Sequence, residues 1–282
     1  MREATAEKTS EVVAAHSEAT IALAKKESVE HLHGMSEVCQ AMRDRPLSVK
    51  AYALSDVNAP IGDIVKTVHL VRHGQGFHNL MADIASVSGR TWTQFTHTPE
   101  NPYVMPEILD APLTEKGRQQ ALVLQPRVKS FDVQPELVVV GPNCRALQTG
   151  AIVFEHLLGT VPFLAHEMVR EECGVHYCDK RRPKSRQEKE FPMIDFSLLE
   201  TEEDAIFQED SRESKLDVGE RIYKFMEWLA SRPEKHIAIA SHSGWLLTVF
   251  NGVCECDDSL KSWWHTGELR SFKLEFVKKD TC

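Results

Sequence analysis

Apolar positions along the chain change rhythm near residue 64. Before it, Val29, Leu32, Met35, Val38 and Met42 recur at helical spacing, which predicts an amphipathic helix or two. No proline interrupts this segment until Pro46, and a loose linker follows through Asn58, Pro60 and Gly62. Beyond it, short apolar runs alternate with helical stretches. Val65–Val71 predicts a first strand, and Leu137–Val140 and His236–Ala240 are continuous apolar runs of the kind covered on both faces of a parallel sheet. Leu269–Phe276 alternates like a half-exposed edge strand.

The helical stretches between these runs are equally marked. Thr114 can cap a helix from Glu115 to about Lys129, its hydroxyl accepting an N–H of the first turn. A second helix runs from about Arg145 to Leu158, and Val218, Ile222, Phe225, Met226 and Leu229 form one apolar helix face. Trp245 begins a further apolar helix. Repeated strand–helix alternation predicts an α/β fold, a three-layer sandwich with a mostly parallel central sheet flanked by helices. The change of rhythm divides the chain into an N-terminal helical extension and linker, residues 1–60, and a domain over residues 61–282.

Composition narrows the function classes. Lys+Arg 33 against Asp+Glu 42 gives a net charge of −9, which argues against a general nucleic-acid binder with its basic surface. A small anion in a local basic pocket is compatible with it. No apolar run approaches the roughly 20 residues that span a bilayer, and the start lacks a signal-peptide core. The 7 cysteines are odd in number and scattered, as expected of reduced thiols inside the cell. Cys173, His176 and Cys178, like Cys254 and Cys256, lack paired C-x-x-C spacing, so no metal and no cofactor is expected. The N-terminal segment carries Glu3, Glu7, Glu11, Glu18, Glu27, Glu30 and Glu37, too many acids for a typical transit peptide. A cytoplasmic location is favoured, with chloroplast or another organelle left open. The N-terminal helices are expected to pack, to bind a protein partner or to self-associate.

Three predicted strands end in a polar break: Arg72-His73 after the first, Arg145 after the second, His242 after the third. Each residue alone reads equally well as a strand terminus, a cap or a surface arginine. In a parallel sheet, however, those ends share one edge, where open α/β sheets place their ligands. Two positive charges about 4 Å apart repel by roughly 4 kcal/mol at an effective dielectric of 20. A cluster of this kind calls for an anion such as a phosphate.

The stretch VRHGQGFHN (residues 71–79) resembles the R-H-G signature of the histidine phosphatase superfamily, the phosphoglycerate-mutase-like proteins. The likeness continues in LTEKGRQQA (113–121), CRALQT (144–149), VREECGVHYCDKRR (169–182), SHSG (241–244) and ELRS (268–271), in the family's order over about residues 64–276. The RHGQG opening and the CDKRR stretch are similar to those of plant and fungal phosphoglycerate-mutase-like phosphatases. The resemblance implies His73 as nucleophile, with Arg72, Arg145 and His242 gripping the phosphoryl oxygens and Asn79 adding a neutral donor. Gln75 and Gly76 would belong to the substrate-binding loop. Glu171 would be the proton donor, although Glu172 beside it leaves that assignment open.

Two features depart from the pattern or extend it. Gly141 stands where the family commonly has serine, a loss expected to soften the pocket by about 1 kcal/mol, the net worth of one hydrogen bond. Residues 166–215 resemble a substrate-capping insertion, basic at Lys180, Arg181, Arg182, Lys184 and Arg186, then acidic from Glu200 to Asp204. Arg181 and Arg182 would contact a second anionic group of the substrate; in the alternative reading the two halves of a solvated loop pair with each other. The expected activity is hydrolysis of a small phosphorylated metabolite through a phosphohistidine, without metal. The competing readings are a mutase, whose E-R-H-Y-G signature is absent from this sequence, and a non-catalytic phospho-ligand binder.

Overall fold

A computed structural model describes residues 18–56, 64–93 and 95–279. One sheet contains β1 (Leu47–Ala53), β2 (Val65–Arg72), β3 (Leu137–Val140), β4 (Phe163–Ala165), β5 (His236–Ser241), β6 (Glu255–Cys256) and β7 (Leu269–Lys278). Their order is β4-β3-β5-β2-β7-β1-β6. β4, β3, β5 and β2 run parallel, and β7 alone runs antiparallel to its neighbours β2 and β1. The helices are α1 (Glu18–Leu32), α2 (Met35–Arg43), α3 (Phe77–Val87), α4 (Glu115–Leu122), α5 (Gln125–Lys129), α6 (Cys144–Val153), α7 (Lys184–Glu190), α8 (Lys215–Ser231) and α9 (Ser243–Thr248).

Successive residues of a strand point to opposite faces, and this divides the core in two. Val139, Ile237 and Ile239 pack on one face with Val218, Ile222, Phe225 and Leu229 of α8. Val138, Val140, Ala238 and Ala240 pack on the other with Leu147 and Val153 of α6. The apolar runs are continuous because both faces are covered, so the three-layer α/β sandwich read from the sequence is the observed architecture.

Several expectations change in detail. Thr114 does cap α4, accepting from the Gly117 N–H at 3.1 Å, but the expected helix divides, with Pro126 restarting it in the first turn of α5. The helix starting near Arg145 ends at Val153 and continues as a 3-10 turn, Glu155–Leu157. β7 is not an edge strand, because β1 covers its outer side from Leu47↔Lys278 to Ala53↔Phe272. The boundary drawn at residue 60 therefore falls between two strands of one sheet. The linker residues Asn58, Pro60 and Gly62 lie outside the described residues.

The apolar series in the N-terminal segment also divides. Met35, Val38 and Met42 of α2 join the main core, whereas Val29 and Leu32 are exposed. Gly34, in the left-handed region at φ 82°, separates α1 from α2, so the helical phase does not carry across it.

Candidate active site

The parallel register lines up the ends of the central strands. Arg72 closes β2 opposite Ser241 of β5, His73 and His242 follow directly, and Arg145 stands in the first turn of α6 just beyond β3. The rings of His73 and His242 lie 5.1 Å apart, and His78 is 5.5 Å from His73. Gly74 is required by close packing: a Cβ there would meet the Gly117 carbonyl oxygen of α4 at 2.3 Å. That contact seats the turn carrying His73 on the start of a helix.

His73 is oriented from both sides. Its Nδ1 lies 2.7 Å from the Gly74 carbonyl oxygen, which can only accept, so Nδ1 carries the proton. Nε2 then holds the lone pair and accepts from Arg145 Nε at 3.2 Å. Burial, then the charges of Arg145 and Arg72, hold the imidazole well below its usual pKa, so it is neutral. The rings of His78 and His242 are kept neutral by burial and by Arg145 in the same way.

The arginines are fixed by partners behind them. Arg145 donates to the Cys178 carbonyl at 2.5 Å and to Asp179 Oδ1 at 2.7 Å. Arg72 donates to the Trp264 carbonyl at 2.6 Å and lies 5.2 Å from the Trp263 ring. Trp264 is core, whereas Trp263 is half-buried and lines a cavity at the mouth of the site. Around His73, four buried nitrogens have no hydrogen-bond partner among the described residues: Arg72 Nε, both ring nitrogens of His242, and His78 Nδ1. Buried polar atoms without partners are uncommon, and here they gather at one spot.

The two adjacent glutamates have different surroundings. Glu171 lines the cavity with His73, Arg72 and Arg145. It accepts from the N–H groups of Gly244 and Trp245, each at 3.1 Å, and from Glu172 N–H at 3.0 Å. Burial pushes its carboxyl up, but His31, the Gly244 and Glu172 N–H groups and Arg145 outweigh this and bring it below the usual range. Glu172 instead lies in an ionic cluster with Lys215, Arg212 at 3.1 Å and His31 at 3.3 Å.

The remaining residues singled out from the sequence separate into two groups. Asn79 lines the cavity, its Oδ1 accepting the Gly76 N–H at 3.0 Å where α3 begins. Gln75 lines the adjoining cavity and accepts from Thr114 Oγ1 at 2.9 Å. Arg181 and Arg182 are not brought to the site. The Arg181 side chain is fully buried, bound to Glu167 and to the carbonyls of Thr201, Glu202 and Glu203. Arg182 bridges Asp110 at 2.9 Å and Glu190 at 2.7 Å. The two halves of the insertion pair with each other, as in the alternative reading, but around the buried Arg181, while Arg182 ties the insertion to Asp110 outside it.

Sequence reasoning missed a wall of the cavity. Leu23, Lys26, Glu27, Glu30 and His31 of α1 line the cavity together with Arg72, His73 and Arg145. His176 and Tyr103 line it as well, and Asp179 anchors Arg145. Asp179 lay within the CDKRR stretch, but a sequence shows a charge without showing its partner.

The chain is similar to known proteins in sequence and in fold. The model of the histidine phosphatase superfamily (branch 1) matches residues 68–279. A phosphoglycerate mutase-like protein of Arabidopsis thaliana is 34% identical over 227 residues, covering 70% of this chain and 78% of that one. A probable phosphatase of Schizosaccharomyces pombe is 29% identical over 202 residues, covering 70% and 82%. Among solved structures, a phosphoglycerate mutase from Bacillus anthracis is similar at 16% identity and a TM-score of 0.47, covering 77% of this chain and 93% of that one.

Proposed function

The chain belongs to the histidine phosphatase superfamily, and from that premise we propose that it is a phosphomonoesterase passing the phosphoryl group of a small metabolite through His73 to water. The observation that carries the reading is the convergence of unpartnered Arg72 Nε and His242 nitrogens on a neutral His73 whose Nε2 holds its lone pair. Arg72 Nε–H and the one N–H of the neutral His242 ring are donors that suit the oxygens of a phosphoryl group.

In the first step His73 Nε2 attacks phosphorus as the bond to the alcohol oxygen breaks. Arg72, Arg145 and His242 stabilise the charge on the equatorial oxygens. Glu171 delivers its proton to the leaving oxygen. The dianion bound beside it raises the proton affinity of this carboxyl above its value in the empty site. In the second step the Glu171 carboxylate takes a proton from water, the water oxygen attacks phosphorus, and the N–P bond breaks to regenerate His73 and release phosphate. Arginine and histidine supply the charge stabilisation, and the reading is of a metal-independent reaction.

Phosphate release from a panel of phosphomonoesters, with EDTA present and His73→Ala alongside, tests this. Release by the wild type only, with an acid-labile phosphoprotein trapped on quenching, is expected. Release by both proteins would overturn the role of His73. Isomerisation of a phosphoglycerate without net release would select the mutase reading that the Arabidopsis relative's name suggests.

A further inference from the structure

We propose that α1 forms an acidic outer wall of the site and selects phosphomonoesters of small, uncharged, hydroxylated alcohols over those carrying a second anionic group. This rests on the phosphatase reading above and assigns it a substrate class. Five residues of α1 line the cavity, Glu27 and Glu30 among them, together with Arg72, His73 and Arg145. An alcohol leaving His73 has to lie against them.

The cations at this outer level already have partners. Arg212 pairs with Glu172 at 3.1 Å and Asp179 at 3.3 Å. Arg145 holds Asp179. Lys26 donates to the Trp92 carbonyl and lies 4.0 Å from Glu30. Arg181 and Arg182, which a second carboxylate or phosphate would need, are occupied in the insertion. A second anion would meet carboxylates without an uncommitted positive charge to offset them.

Hydroxyl groups fare differently. Tyr103, whose O–H donates to Glu27 Oε1 at 2.7 Å, stands beside Asn79 and the neutral His78. These side chains and the Glu27 carboxyl offer donors and acceptors of the kind a polyol matches. Burial pushes the Glu27 carboxyl up while Tyr103 and Arg72 pull against it. In either protonation state its oxygens can accept from a hydroxyl, and in neither does it give an anion a positive partner. The cavity holds about 60 Å³. At about 10–15 Å³ of such volume per water, that is about four to six waters, so a phosphoryl group fills most of it and the alcohol is left against the residues of α1.

The test compares two three-carbon phosphomonoesters, glycerol phosphate and phosphoglycerate, which differ in CH2OH against carboxylate. We expect kcat/KM for phosphate release to favour glycerol phosphate by about 10-fold or more, which corresponds to about 1.4 kcal/mol. Glu30→Gln and Glu30→Lys should lower that ratio stepwise, through the KM for phosphoglycerate. Titration of both compounds into His73→Ala by calorimetry gives the same ranking without turnover. Equal rates and affinities, or a preference for phosphoglycerate, would overturn the acidic wall and leave the phosphatase reading standing. Ranked binding without turnover of any phosphomonoester by the wild type would overturn the phosphatase reading alone. A ratio unmoved by Glu30→Lys would overturn the role of α1.

Discussion

Arg145 Nε donates to His73 Nε2 across 3.2 Å while the same guanidinium holds Asp179 at 2.7 Å. One side chain thus orients the imidazole and neutralises a buried acid. Lysine keeps the charge but not the planar fork that makes these contacts together. Arg145→Lys should lower kcat by about 100-fold, the order seen when one transition-state donor is lost. Arg145→Ala should in addition destabilise the fold by about 3 kcal/mol, since the buried Asp179 loses its 2.7 Å partner and is left with Arg212 at 3.3 Å and His176 at 3.8 Å. Steady-state kinetics beside urea unfolding separates the two effects. Equal stability of both variants and the wild type would show that Asp179 does not depend on Arg145.

The adjacent glutamates should fail in different ways. Glu171→Gln removes the proton that the reaction needs and should lower kcat by about 10²–10⁴-fold. Its amide oxygen can still accept from the Gly244 or Trp245 N–H, so the unfolding midpoint should change little. Glu172→Gln leaves Lys215 without a buried countercharge and Arg212 with Asp179 alone, and should cost about 3 kcal/mol of stability. If Glu172→Gln were the stable and inactive variant, the two roles would have to be exchanged.

Stability should fall on the acid side well before the carboxylates titrate. Burial lowers His69 and His166 from 6.5 to about 4. His73, His78 and His242 shift in the same direction. Between pH 6.5 and 4 the unfolded chain binds protons that the folded chain refuses, so unfolding becomes easier as pH drops. Lowering pH from 7 to 5 should cost about 2 kcal/mol for each of His69 and His166. Urea unfolding at the two pH values measures the sum, and His166→Gln should remove its share. A midpoint independent of pH would mean that these rings are not held neutral.

What the sequence disclosed follows from how each signal is written. Leu137–Val140 and His236–Ala240 read as buried strands because a parallel sheet covered on both faces requires continuous apolar runs. Their shared edge then placed Arg72, His73, Arg145 and His242 together. β1 was missed because its alternation is carried by only Leu47, Val49 and Ala51, beside a proline that signalled a linker. That omission turned β7 into an apparent edge strand. Arg181 and Arg182 show their charge in sequence but not the carbonyls and acids that surround them. The seat of α1 over the site was illegible for the same reason: a helical period gives a face, and the neighbour of that face is a tertiary fact.

Gly141 brings sequence and structure into conflict in an instructive way. Serine at this position looked like a missing hydrogen bond, a modest loss. In the fold, a Cβ on Gly141 would lie 2.8 Å from His242 Nε2 and 3.0 Å from the Val169 carbonyl oxygen. The His242 ring is fully buried and has no flexible end to swing aside, so the imidazole itself must move. Overpacking of this kind typically costs about 1–3 kcal/mol, and here the displaced group is the proposed phosphoryl ligand His242. Gly141→Ser and Gly141→Ala should therefore lower kcat/KM by about 10-fold or more and lower the unfolding midpoint. The two variants distinguish sterics from hydrogen bonding: equal losses mean the Cβ is responsible. If Gly141→Ser were more active than the wild type, the hydroxyl would have found His242 after a small shift, and the steric account of this glycine would be wrong.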